Sequence, residues 1–333
     1  MHPSFVIRRV IPVLLVCVVV ASVAAQSQPD RAKNLKVLPQ DISHQDLIVI
    51  MNGFTRALGV RCIYCHVGEE GKPFQPGSFA LDDKPTKAKA RVMMQMMADI
   101  NQKYLPTLET RENPPISVQC VTCHRGTTQP RMLQDVLKTA YDQGGMDSTL
   151  ARYHALRDRY YGRFTYDFGE VPLAELARSL QHDGHDADAA QVLALNVDMN
   201  PNSPFAKRMQ ATSAIRLSYA TSGADSGAAM YQTLKARYGP KVVSEDALNE
   251  VGYGLLGSGK TDAAIAAFKL NVDENPKSGN AYDSLGEAYA TKGDKKLAIQ
   301  SYSKSLELDP TNENAKHELE VLKGSAKNSK KKG

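Results

Sequence analysis

The stretch Cys62-Ile63-Tyr64-Cys65-His66 recurs as Cys120-Val121-Thr122-Cys123-His124, and no other feature restricts the chain as much. Two cysteines separated by two residues reach the two vinyl groups of one haem, and the histidine that follows is placed to bind the iron. The pair of motifs therefore predicts two covalently bound c-type haems. Cys62, Cys65, Cys120 and Cys123 are the attachment points, and His66 and His124 are iron ligands. A zinc ribbon spaces its two C-x-x-C knuckles by about 15 to 20 residues, whereas 54 residues separate Cys65 from Cys120. A redox disulfide of thioredoxin type needs a surrounding βαβ pattern, which the sequence does not show. Neither alternative calls for a histidine directly after both pairs.

Targeting signals account for the fifth cysteine. Residues 1–25 hold Arg8 and Arg9, an apolar run from Val10 to Val23, and Val23-Ala24-Ala25 as a small-residue cleavage site, the three parts of a secretory signal. The reading is an exported protein in the periplasm or a similar extracytoplasmic space, with an uncleaved inner-membrane anchor as the alternative. Cys17 leaves with that leader, so no cysteine remains for a structural disulfide. The net charge of +5 falls to +3 without Arg8 and Arg9, and the lysines of a Gly/Ser/Lys tail, residues 323–333, exceed that surplus. Such a tail reads as solvated and disordered, and nucleic acid is not expected as a partner.

Along the chain, residues 26–42 read as a polar, extended lead-in. Ser43-His44-Gln45-Asp46 resembles a capping box, and Leu47, Ile48, Met51, Phe54 and Leu58 follow at helical spacing before Gly59. Met51 lies on that apolar stripe, where it is either core packing or the second axial ligand of the first iron; His44 is the bis-histidine alternative. After a Gly- and Pro-rich loop over 67–85, Thr86 is the expected N-cap of a helix to about Tyr104, with Met93, Met96, Met97 and Ile100 on one face. One of these methionines would serve the second iron as Met51 serves the first. Residues 109–115 break the helix, and Arg125 beyond the second motif is a candidate partner for a haem propionate.

Residues 34–130 carry a family resemblance. Gly53-Phe54-Thr55-Arg56-Ala57-Leu58-Gly59-Val60 leading into Cys62, Asp82-Asp83-Lys84-Pro85-Thr86-Lys87, Asp99-Ile100-Asn101 and Cys120 to Gly126 resemble the cytochrome c subunit of photosynthetic reaction centres. The resemblance implies helix-loop-C-x-x-C-H units with a helical methionine as sixth ligand: Met51 for the first haem and Met93 for the second, with Met96 its nearest rival. The well-known members hold four haems, and this chain has cysteines for two. The implied role is electron transfer between a redox protein donor and acceptor, such as a membrane-bound reaction centre or respiratory complex. A dihaem peroxidase-like enzyme and a redox-sensing adaptor are the alternatives.

Residues 131–333 repeat themselves. Gly184, Ala189 and Pro201 recur as Gly259, Ala264 and Pro276, and again 34 residues on as Gly293, Ala298 and Pro310. A 34-residue period with Gly between paired helices, Ala at their close contact and Pro at the end is the tetratricopeptide pattern. Residues 202–240 read as a degenerate or lengthened unit, and His182 and His185 as solvated turn residues. The expected architecture is all-α: a leader over 1–25, a dihaem cytochrome c domain over 26–140, a tetratricopeptide solenoid over 146–322 suited to a protein partner, and the basic tail.

Overall fold

A computed structural model of the protein describes residues 32–108 and 115–329, with side chains described as far as residue 324. The expected leader with Cys17, most of the 109–115 break and the last residues of the basic tail lie outside the described residues. Among the described residues all regular structure is helical, as the all-α reading requires. The chain divides into two compact units between Thr128 and Gln129.

In the first unit, helix α1 (His44–Leu58) begins as the capping pattern predicts. The Ser43 hydroxyl accepts from the Asp46 amide at 3.0 Å, which satisfies one of the amides a helix start leaves unpaired. Gly59 ends it in the left-handed region at φ 64°, a conformation open to glycine at little cost. Helix α2 (Pro85–Asp99) corrects the expected cap. Lys84 holds the N-cap position, Pro85 takes the first turn, where its missing N–H costs nothing, and Thr86 lies inside the helix. Its last turn widens into a π-turn, Ile100–Tyr104, before a short 3-10 turn over Leu105–Thr107. The second cysteine motif is itself a short helix, α3 (Cys120–His124). Among the described apolar side chains of this unit only Ala57 is buried. Cross-links between segments therefore carry much of its order.

The second unit is a run of antiparallel helices: α4 (Leu133–Tyr160), α5 (Glu170–His182), α6 (Asp186–Met199), α7 (Pro204–Ser222), α8 (Ala224–Tyr238), α9 (Glu245–Gly257), α10 (Thr261–Glu274), α11 (Gly279–Lys292), α12 (Lys295–Leu308) and α13 (Glu313–Ser329). Pairs α5/α6, α7/α8, α9/α10 and α11/α12 pack within themselves and against their neighbours. Each pair leaves an apolar face that the next one covers, so the repeats stabilise one another. Gly184, Gly259 and Gly293 sit at positive φ in the turns within pairs, and Ala189, Ala264 and Ala298 are fully buried where the two helices touch. The 202–240 unit is lengthened, because α7 has 19 residues where α5, α9 and α11 have 13, 13 and 14.

Two expected boundaries change. The domain limit read at 140–146 is a break inside the second unit: α4 is interrupted at Gly144 and Gly145, and Leu133, Val136 and Leu137 before it are buried with Leu173, Leu176 and Leu180. Burial of this apolar stripe ties the stretch to the repeats. The tail starts late for a similar reason. Ala315, Leu319 and Leu322 are buried along α13, and no proline follows them, so the helix continues to Ser329 through residues read as disordered.

Gly252 shows how tightly the pairs close. A Cβ there would lie 2.4 Å from the ring of Phe268, which is fully buried and cannot yield. Gly252→Ala should therefore destabilise the repeats by about 1–2 kcal/mol net of its better helix propensity, whereas Gly257→Ala, where a Cβ meets nothing within 4 Å, should be neutral or stabilising. Thermal unfolding of the two variants checks this; equal midpoints would contradict the packing argument.

Candidate haem-attachment sites

The first motif folds as one tight turn. Cys62–Tyr64 is a 3-10 turn, and the amides of Cys65 and His66 both reach the Cys62 carbonyl, at 3.2 and 3.0 Å. Both cysteines and the histidine thus sit on a single bend. Its remaining carbonyls are tied to the start of α2: the Lys84 ammonium donates to Ile63 O, and the Thr86 hydroxyl donates to Tyr64 O at 2.6 Å. This is why Thr86 caps nothing in its own helix. The His66 ring lies edge-on to Phe79, 5.0 Å between centroids, and Phe79 stacks with Phe74. Burial, helped by the positive charge of Lys87, pushes the His66 pKa down, which favours the neutral imidazole that a metal requires. Its buried Nδ1 has no hydrogen-bond partner.

The loop between motif and helix is held by Asp82. Its carboxylate pairs with Lys36, Lys87 and Arg91 at 2.7, 3.2 and 2.8 Å, joining the lead-in, the loop and α2. These donors, Arg91 foremost, hold the carboxyl far below the usual range. Lys87 also donates to the carbonyls of Phe79 and Leu81, at 2.9 and 2.7 Å.

The second motif is bracketed differently. Asn101, presented by the π-turn, accepts from the Val118 amide at 2.7 Å and donates to the Val118 carbonyl at 2.8 Å. Gln119 and Thr122 then close a reciprocal cap on α3. His124 Nδ1 lies 2.9 Å from the Thr127 carbonyl. A carbonyl only accepts, so Nδ1 carries the proton and Nε2 keeps its lone pair for an iron, the usual arrangement around a ligating histidine. Arg125 takes the left-handed conformation at φ 49° just after the helix.

The two motifs belong to one structure. Gly126, just past the second motif, donates to Ala57 O of α1 at 2.8 Å, and a Cβ on Gly59 would lie 2.1 Å from the Gly126 carbonyl. The end of α1 therefore leads into the first motif and also supports the second, while α2 grips the first motif at its start and reaches the second at its end.

The structure sorts the methionine candidates. Met51 is half-buried on α1, whereas His44 is exposed at the start of that helix. On α2, Met93 and Met96 are 39% and 46% exposed, and Met97 is half-buried with its sulfur 4.0 Å from Cys120 Sγ. Met97, one turn beyond Met93 on the same face, is the methionine brought to the second motif. Lys84, Thr86, Asn101, Gln119 and Asp82 escaped the sequence reading as positioning residues, although all but Gln119 lie within its quoted Asp82–Lys87 and Asp99–Asn101 stretches. His182 is exposed, as read, and His185 rests edge-on to Tyr141 at 5.4 Å.

The donor set fits haem. Burial pushes the Cys65 and Cys120 thiols above their ordinary pKa, opposite to the shift of a thioredoxin-like nucleophile. Among the described residues no three His, Cys, Asp or Glu side chains converge as a metal cluster would need. Ile48, Val49, Phe79, Val92 and the α2 methionines present apolar surface that a large flat macrocycle can cover.

The first unit thus holds two helix-loop-C-x-x-C-H segments, and the second is a helical-repeat solenoid. The family described as the photosynthetic reaction centre cytochrome c subunit matches residues 15–151, and the tetratricopeptide repeat matches residues 279–312, the span of α11 and α12. The resemblance read from the sequence is thereby borne out. Cytochrome c-554 of Chloroflexus aurantiacus is 33% identical over 91 residues, 27% of this chain and 20% of the relative. The photosynthetic reaction center cytochrome c subunit of Roseobacter denitrificans is 33% identical over 90 residues, 24% of this chain and 23% of the relative. A thermophilic TPR protein of Thermus thermophilus aligns in structure with 57% of this chain and 96% of its own at 16% identity and a TM-score of 0.29. The chain spans between 5% and 26% of the length of the curated relatives it matches. The first unit is thus similar to haem cytochromes and the second to tetratricopeptide repeat proteins.

Proposed function

We propose that the protein is an exported dihaem electron carrier whose repeats dock a protein partner. The observation that carries this reading is the preparation of both histidines at their cysteine bends. His124 is fixed in the tautomer that leaves Nε2 free, and burial beside Lys87 pushes the His66 pKa down, in the direction of the uncharged imidazole. The haem iron, once bound, supplies a one-electron couple whose potential methionine ligation raises. The chain's part is to hold the attachment cysteines on rigid turns, to orient each imidazole and to offer a sulfur from α1 and from α2. Met51 is assigned to the first iron. At the second, Met93 is the residue that the family resemblance implies and Met97 the one supported by contact with Cys120. Export follows from the leader read in residues 1–25 and suits covalent haem attachment outside the cytoplasm. Donor and acceptor are redox proteins, a membrane-bound reaction centre or respiratory complex among them.

A pyridine haemochrome assay on the purified protein should give two haems per chain, and the double changes Cys62→Ser with Cys65→Ser, and Cys120→Ser with Cys123→Ser, should each leave one covalently held. One haem in the unaltered protein would overturn the dihaem assignment. A high-spin ferric signal with hydrogen-peroxide turnover would replace the carrier by a peroxidase.

A further inference from the structure

The last two repeats and α13 share a face on which negative charge is concentrated. Helices α9 and α11 lie side by side there, and the Tyr253 hydroxyl of α9 donates to Glu287 on α11 at 2.9 Å. One turn before Glu287, Asp283 accepts from Asn314 of α13 at 3.0 Å through Oδ2, and Glu318 stands one turn beyond Asn314. Asp283 is only 9% exposed, and its Oδ1 is buried with no hydrogen-bond partner. Among the described residues the ion pairs of this region go elsewhere: Lys292 to Asp262, Lys304 to Glu307 and Lys316 to Glu313. Among the described residues no ion pair is made by Asp283, Glu287 or Glu318.

Such a group is costly by itself. A buried carboxylate oxygen without a donor loses its hydration and gains nothing in return. Burial pushes the Asp283 carboxyl up, and the charges of Glu287 and Glu318 push the same way against the amides of Asn314 and Asn312. A cation relieves this, and its kind follows from the chemistry of the face. No three of these groups converge closely enough for a metal ion. A guanidinium carries its charge and five donors across a plane, so it can bridge carboxylates that a point charge cannot. Tyr253, 39% exposed, adds a ring face on which a guanidinium stacks.

We propose that the face built by α9, α11 and α13 binds an arginine side chain of a partner protein, with Glu287 and Glu318 pairing with the guanidinium and Asp283 as the buried third carboxylate. The inference rests on the reading of the repeats as a docking surface and names the chemistry of the docked segment. It requires no contribution from the haems.

The test uses the full-length, haem-loaded protein and labelled peptides of four Gly-Arg-Ser, Gly-Lys-Ser or Gly-Ser-Ser triplets, followed by fluorescence anisotropy at low salt. The arginine peptide should bind most tightly. Glu287→Gln and Asp283→Asn should each weaken it about ten-fold or more, while Glu175→Gln on α5 should leave it unchanged. If Asp283→Asn does not fold, Glu318→Gln takes its place. Equal binding of the arginine and lysine peptides, an unaltered affinity in Glu287→Gln, or no binding of the arginine peptide would overturn the proposal. Binding of the neutral peptide alone would do so while leaving the docking reading intact, and the haem spectrum of the same samples reports on the carrier reading separately.

Discussion

On the proposed pairing of one methionine with each haem, Met51→Ala should leave both haems attached and lower the weak far-red methionine-to-iron band by about half. The proposed attachment points of the first haem, Cys62 and Cys65, are not touched by the change, and His66 is oriented by the Cys62–Tyr64 turn and Phe79 rather than by α1. The potential of that haem should drop by roughly a tenth of a volt or more, within the ~0.8 V that axial ligands span. A spectrum identical to that of the unaltered protein would remove Met51 from the ligand set. The same measurement on Met93→Ala and Met97→Ala decides the second iron, since the family resemblance favours the first and the 4.0 Å approach to Cys120 Sγ favours the second.

Gly59→Ala should be the most damaging single methyl group in the first unit. It asks for a left-handed conformation at a residue with a side chain, at about 1–2 kcal/mol. The new Cβ would also lie 2.1 Å from the backbone carbonyl of Gly126, which cannot rotate away. Overpacking of that kind adds about 1–3 kcal/mol. The expected result is loss of the Ala57–Gly126 hydrogen bond, with poorer haem loading at the second motif although the change lies beside the first. Gly71→Ala is the control: it shares a positive φ but its Cβ would meet nothing within 4 Å, so it should retain both haems. Equal loading in the two variants would show that the approach of Gly59 to Gly126 is not structural.

What could be read in advance was what repeats or lies close in sequence. Ser43 with Asp46 announces the start of α1 and Gly59 its end, because both signals act within one turn. The 34-residue period places Gly259, Gly293, Ala264 and Ala298 correctly, since each recurs in the same packing role. Thr86 was misread for the opposite reason. A threonine before a helix looks like a cap, and only the folded chain brings Tyr64 O within reach of its hydroxyl. Asn101 and Asp82 act on Val118 and on Lys36, 17 and 46 residues away, and such bonds leave no local pattern. Asn196 and Asn271 were legible in principle. Both are fully buried and donate to the first carbonyl of the helix before them, Glu170 O and Glu245 O, yet polar residues inside apolar stripes draw no attention in a search for hydrophobic period.

The bond between Gly126 and Ala57 also has a consequence in time. A chain that emerges amino-terminus first presents Cys62 and Cys65 well before Gly126 exists to fasten the end of α1. Until then the end of α1 lacks that fastening, whereas the turn over residues 62–66 can already close on the Cys62 carbonyl. The order of synthesis thus leaves the end of α1 to be tied down from the far edge of its own unit, and a chain ending before Gly126 would lack that tie.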